Sequence, residues 1–235
     1  MGDSYIYKNQ KKLRWGYTTG TCAAAASLAA AVMLLRGRRM EQVSLTTPKG
    51  VRLDLEVEEM ETGKNCVCCG VRKDAGDDPD VTDGLMVYSQ VRLPDADSGG
   101  AGDAREAGDA REAGDNTEAG DDRNACGDYV YEKDGLRLIL SGGVGVGRVT
   151  QCGLSCEVGK AAINPVPRQM IFEQVAGVCR ESGFKGVLSI EIRVPEALKV
   201  ADKTFNSRLG IQGGISILGT SGMVEPMSET ALLDT

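Results

Sequence analysis

Four stretches of this 235-residue chain are dense in groups that do chemistry rather than fill a core. The first is Gly16-Tyr17-Thr18-Thr19-Gly20-Thr21-Cys22, which runs straight into an alanine-rich segment. Hydroxyls and glycines at a helix start leave backbone N–H groups and the positive end of the helix dipole facing outward, an anion site. Thr18, Thr19, Gly20 and Thr21 are therefore the expected substrate contacts, although Thr19 or Thr21 serves equally well as a plain N-cap. The second is Asp74-Ala75-Gly76-Asp77-Asp78-Pro79-Asp80-Val81-Thr82-Asp83-Gly84. Clustered carboxylates repel one another unless they are exposed, metal-bound or used as proton acceptors. Asp77, Asp78 and Asp80 are the candidate catalytic carboxylates, and a solvated turn is the plainer alternative. The third, Gly142-Gly143-Val144-Gly145-Val146-Gly147, holds fragments of a glycine-rich loop, but its spacing is not that of a Walker loop and no lysine follows. The fourth, 162–168, carries Asn164 and Arg168 at the start of a second helix; Arg168 suits a substrate carboxylate or a structural ion pair.

What is absent narrows the chemistry further. The chain has no histidine, which removes Ser-His-Asp triads, Cys-His dyads, His-ligated zinc and histidine bases together. Eight cysteines are present, and Cys66-x-Cys68-Cys69 with Cys152-x3-Cys156 matches no metal-site spacing. Adjacent cysteines in a strand point to opposite faces, so these read as ordinary thiols, with no metal expected. The net charge of −7 belongs to one tract: residues 95–128 hold eleven acids against three bases, leaving 23 acids and 24 bases elsewhere. With a near-neutral remainder and no basic run interleaved with aromatics, nucleic-acid binding is not expected. No signal-peptide core is present, and no apolar stretch of membrane-spanning length runs without interruption. The expectation is a cytoplasmic protein with reduced thiols and no membrane partner.

These groups need a frame to position them. Residues 21–35 form a strong helix signal, rich in alanine and followed by Gly37. Strands are expected over 43–47 and 51–58, joined at Pro48-Lys49-Gly50, and over 67–72, 85–93, 136–140 and 187–194. A helix over 168–182 puts Ile171, Val175, Val178 and Cys179 on one stripe. The sum is an α+β domain, a mixed or antiparallel sheet with helices on it, covering residues 1–212. Residues 101–122 repeat every six positions without large apolar side chains, so 95–128 is expected to be a disordered, functionally silent surface insert. At the end, a strand over 215–218, the turn Gly219-Thr220-Ser221-Gly222 and a helix beginning at 226–233 read as the opening of a second, α/β domain over 213–235.

Taken in order, GYTTGTCAAAA, VRKDAGDDPDVTDG, GGVGVGRVT, AINPVPRQMI and KTFNSRLGIQGGISILGTSGMVEPMSE resemble the CbiD family. These enzymes methylate carbon 1 of cobalt-precorrin-5B, giving cobalt-precorrin-6A, with S-adenosylmethionine as donor in anaerobic cobalamin biosynthesis. The resemblance runs from about Trp15 to Glu229 and is broken by the acidic insert. It implies a domain like the second domain of ribosomal protein S5, then a Rossmann-like domain that this sequence leaves after its first βα turn. It also implies a tetrapyrrole partner and a homo-oligomer as one possible assembly. Gly219, Thr220, Ser221 and Gly222 then become the expected donor-binding loop, since such cofactors sit beyond strand C-termini. One strand makes no crevice, so the last two dozen residues are expected to be loosely held and the chain alone unable to methylate. A small-molecule kinase resting on the 142–147 glycines, and a non-catalytic tetrapyrrole binder, are the competing readings.

Overall fold

The computed structural model describes residues 5–8, 11–94 and 127–226. The expected insert, apart from Gly127 and Asp128, lies outside the described residues, as does the expected final helix from 227 onward.

A six-stranded mixed sheet and two helices form the body. The strands run in the order Glu59–Thr62, Cys66–Arg72, Met86–Arg92, Gly186–Arg193, Leu136–Gly142, Tyr129–Lys133. All neighbours are antiparallel except Leu136–Gly142 with Gly186–Arg193, where Leu138 faces Leu188 and Leu140 faces Ile190. A parallel pair cannot be joined by a tight turn, and the helix α2 (Pro165–Glu181) lies in the crossover between these two strands. Alternation is clean on the central strand: Leu188, Ile190 and Ile192 are fully buried, while Glu191 and Arg193 are half-buried on the other face.

The helix α1 (Thr19–Arg36) is buried on nearly every side, packed on α2 and on strands Cys66–Arg72 and Met86–Arg92. Its alanines allow that close approach. The hairpin Gln42–Thr46 and Arg52–Glu56 adds Val43, Leu45, Leu55 and Val57 to the same core. Ser27, a buried polar residue in the middle of the helix, hydrogen-bonds Ala23 O and Ser89 Oγ, so it leaves no orphan donor. By length and hydropathy α1 is long enough to cross a membrane, but Thr21, Ser27 and Arg36 interrupt it and most of it is buried in the core of the protein.

The expected strands and both long helices are present, with boundaries shifted by a residue or three. The strands Tyr5–Lys8, Lys11–Arg14, Glu59–Thr62 and Tyr129–Lys133 were not foreseen. The expectation of a loose ending over the described residues is corrected. Ile215 and Ile217 are 1% and 0% exposed and belong to the main core. Gly214–Ile215 pairs with Gly145–Val146, and Ile217 bridges Ile163, so these backbone edges are not left open. After the 219–222 turn comes a short strand, Met223–Val224, paired with Gly16–Tyr17.

Candidate functional site

Sequence-distant motifs meet at the start of α1. The N-cap is Thr18, not Thr19 or Thr21: its Oγ1 accepts the Thr21 N–H. Of the N–H groups expected to be free, those of Thr18, Gly20, Thr21 and Cys22 are engaged. Gly20 N–H donates to Leu218 O at 3.0 Å, Cys22 N–H to Thr18 O, and Thr18 N–H to Gly222 O. The Thr21 hydroxyl donates to Gly222 O at 2.7 Å, and Leu218 N–H donates to Thr19 Oγ1. Residues 18–21 of the expected substrate-binding set and the 218–222 segment are thus one hydrogen-bonded unit, with Thr18, Thr19 and Thr21 all buried. Gly219 sits at φ 139°, and a Cβ there would overlap Thr18. Of the loop's side chains Thr220 faces outward, while Ser221 closes locally on Met223.

The acidic loop docks on the strand that feeds α1. Tyr17 N–H donates to Asp74 O at 2.8 Å, and Trp15 bridges Gly76. Four of the five carboxylates here, Asp74, Asp77, Asp80 and Asp83, have a job in the fold, and Asp78 is placed through its backbone N–H, which donates to Ala75 O. Asp74 forks with the Arg14 guanidinium, whose hydrogen bonds hold its carboxyl below the ordinary range. Asp77 accepts the Arg14 N–H, and Asp83 accepts the Ala75 N–H. Asp80 pairs at 2.6 Å with Lys73, a lysine 3% exposed, and also accepts from the Thr82 N–H and hydroxyl. Burial alone would raise the Asp80 carboxyl; the Lys73 ammonium and the Thr82 hydrogen bonds outweigh it and hold the group low. A carboxylate held low is a poor proton acceptor at neutral pH but a persistent negative charge. Burial pushes the neighbouring Cys22 thiol up to about 12, which keeps it protonated and unreactive.

The start of α2 lies against the start of α1. A Cβ on Gly20 would stand 2.6 Å from the Pro167 ring, and Asn164 N–H donates to Ile217 O. Yet α2 begins differently. Asn164 makes no side-chain cap, and Pro165 and Pro167 bring no N–H. The Arg168 guanidinium stacks on the Tyr129 ring at 4.0 Å, and its Nε is buried without a hydrogen-bond partner. Two residues that sequence reasoning placed in or beside the silent insert hold this corner together. Asp128 accepts from Arg148 at 2.6 Å and from the Gly142 and Ala161 N–H groups, and Tyr129 donates to Ala161 O. Counting Asp128 with the solvated tract was wrong: its side chain is 8% exposed. The clue was the return of alternation at Tyr129, Tyr131 after the repeat ends.

Residues 6–226 match the CbiD family model. The chain belongs to the CbiD family. Among its relatives named cobalt-precorrin-5B C(1)-methyltransferase, that of Ruminiclostridium cellulolyticum is 46% identical over 99% of this chain and 50% of the relative. That of a Thermoanaerobacter species is 48% identical over 97% of the chain and 51% of the relative. A crystal structure of the cobalamin biosynthesis protein CbiD from Archaeoglobus fulgidus superposes with a TM-score of 0.60 at 30% identity, covering 98% of this chain and 61% of that one. The chain spans about half the length of the curated relatives it matches.

In this CbiD chain the 142–147 glycines are used for packing. Gly145 at φ 79° faces the Val194 carbonyl, where a Cβ would overlap, and Gly147 N–H donates to Ile215 O. The N–H groups of Gly142, Gly143, Val146 and Gly147, which a kinase reading would aim at phosphate, are therefore engaged. Cys69 Sγ meets Met33 on the helix side, while Cys68 Sγ accepts from Arg193 on the other side. Opposite facing of the adjacent cysteines follows the strand pleat, as the sequence implied.

Proposed function

We propose that this chain takes part in S-adenosylmethionine-dependent methyl transfer to carbon 1 of cobalt-precorrin-5B, giving cobalt-precorrin-6A in anaerobic cobalamin biosynthesis. The observation that carries the reading is the convergence just described. The family's motifs, scattered over two hundred residues, close on one another around the two helix starts. The names of the relatives support it. At the finer level the proposal keeps an S5-like α+β region and a donor loop at Gly219, Thr220, Ser221 and Gly222 that opens a Rossmann-like part.

S-adenosylmethionine, when bound, supplies a methyl on a positively charged sulfur, and the carbon nucleophile displaces it in line. The chain's residues contribute placement and charge rather than a proton relay. Carbonyls of the 218–222 segment are engaged by α1, so a donor fits only its outward side, where Thr220 is exposed. Asp77 and Asp78 supply negative charge on the loop beside that unit, and Asp80, compensated by Lys73 at 2.6 Å, fixes the loop's position. Thr18, Thr19, Gly20 and Thr21 set the position of the loop, and Asn164 and Arg168 face the substrate. The test is absorbance titration of the chain with cobalt-precorrin-5B, followed by mass analysis after adding S-adenosylmethionine. A saturable spectral shift is the expected result. No shift, and no product heavier by one methyl group, would contradict the reading.

A further inference from the structure

The corner around Tyr129 holds more cation than the fold uses. Arg148 is neutralised by Asp128 at 2.6 Å, and Lys160 by Glu157 at 2.8 Å. Arg168 has neither an ion pair nor a hydrogen bond from its guanidinium among the described residues; the Tyr129 ring holds it, with the Glu157 carboxylate only at longer electrostatic range. Lys160 Nζ stands 5.4 Å from the centre of the same ring. Its partner Glu157 is 76% exposed, so that pair is a weak surface contact which a better anion displaces. Asn164 lies one helical turn before Arg168; its Oδ1 accepts from Cys156 Sγ at 3.6 Å, and its side-chain NH2 donates to nothing among the described residues. A fixed guanidinium without an ion pair, beside a releasable ammonium and an available amide NH2, is the donor set of a carboxylate-binding site.

The scaffold behind these donors is rigid. Asp128 ties residues 142, 148 and 161 together, and Tyr129 Oη donates to Ala161 O at 2.7 Å, which fixes the ring on which Arg168 lies. Burial pushes the Tyr129 hydroxyl well above its ordinary range, so the ring stays neutral beneath the cations. Pro167, the residue before Arg168, packs on Gly20. Whatever Arg168 holds is thus adjacent to the start of α1.

We infer that Arg168, Lys160 and Asn164 form a subsite for one carboxylate arm of the tetrapyrrole, with Tyr129 and Asp128 as positioning residues. The inference rests on the tetrapyrrole reading above and adds where a peripheral acid is recognised. Ionised arms are favoured over amidated ones there, because an amide leaves the guanidinium charge uncompensated.

The test uses two probes with one ring: cobyrinic acid, a cobalt corrinoid with free carboxylates, and the same corrinoid with every carboxylate converted to an amide. Both are titrated by visible absorbance. The native chain is expected to bind the acid about tenfold more tightly than the amide. Arg168→Met is expected to remove about that factor for the acid and leave the amide unchanged. Arg168→Lys keeps the charge without the fork and should fall between, and Lys160→Met should lose a smaller factor. Equal affinity for the two probes, or an Arg168→Met chain that binds the acid as the native chain does, overturns the subsite while the tetrapyrrole reading stands. Failure of the native chain to bind either probe overturns both.

Discussion

Two helices begin side by side in this molecule, and their first turns are built in opposite ways. At α1 the donors meet carbonyls of the 218–222 segment, the N-cap is made, and the nearby acids are tied to Arg14, Lys73 and backbone N–H groups. At α2 the cap is unmade, two prolines supply no donor, and Arg168 rests on a ring without an ion pair among the described residues. A saturated helix start contributes order; an unsaturated one keeps its polar groups for something outside the chain. The comparison separates residues that shape the site from residues that touch a ligand, a distinction that motif density alone does not make.

The largest effect is expected on the saturated side. Gly219→Val forces a branched side chain into Thr18 at a backbone angle that suits glycine, and should lower unfolding free energy by about 4 kcal/mol in urea titration. Lys73→Met leaves Asp80 without its ammonium and should cost about 3 kcal/mol. Combining it with Asp80→Leu should recover most of that loss; simple addition of the two single losses would mean the pair is not coupled.

Acid should weaken the same region. Asp74 and Asp80 are held below their ordinary range in the folded chain. Their contribution is therefore present above the unfolded carboxylate pKa of about 3.9 and is lost as pH falls below it. The melting temperature should drop below about pH 4, and Lys73→Met should flatten that drop. On the other helix start, Arg168→Met should change stability by no more than about 0.5 kcal/mol, since the fold draws no hydrogen bond from it. A large loss there would erase the contrast between the two regions.

Much of this was legible in the sequence. Alanine content and Gly37 marked α1, alternation marked the inner strands, and apolar spacing marked α2, because each signal is local. Motif density also pointed to the right segments, including Arg168. The state of those segments was not legible. Whether the Gly20 N–H and the Thr21 hydroxyl face a ligand or the carbonyls of Leu218 and Gly222 depends on where the chain returns two hundred residues later. The ending looked like a strand without partners because Gly145–Val146 and Ile163, its neighbours, are too short and glycine-rich to read as strands. Asp128 was lost in the acidic tract for a related reason: composition averages over a boundary that a single buried ion pair defines.

The contrast between the helix starts can be read directly from nitrogen-resolved NMR of the chain titrated with the diamagnetic dicyano form of cobyrinic acid. The account predicts that the Arg168 Nε–H and Asn164 side-chain signals move with saturation, while the Gly20 and Thr21 amide signals stay in place. Movement of Gly20 and Thr21 with Arg168 unchanged would contradict it, and would place the anion at α1 instead.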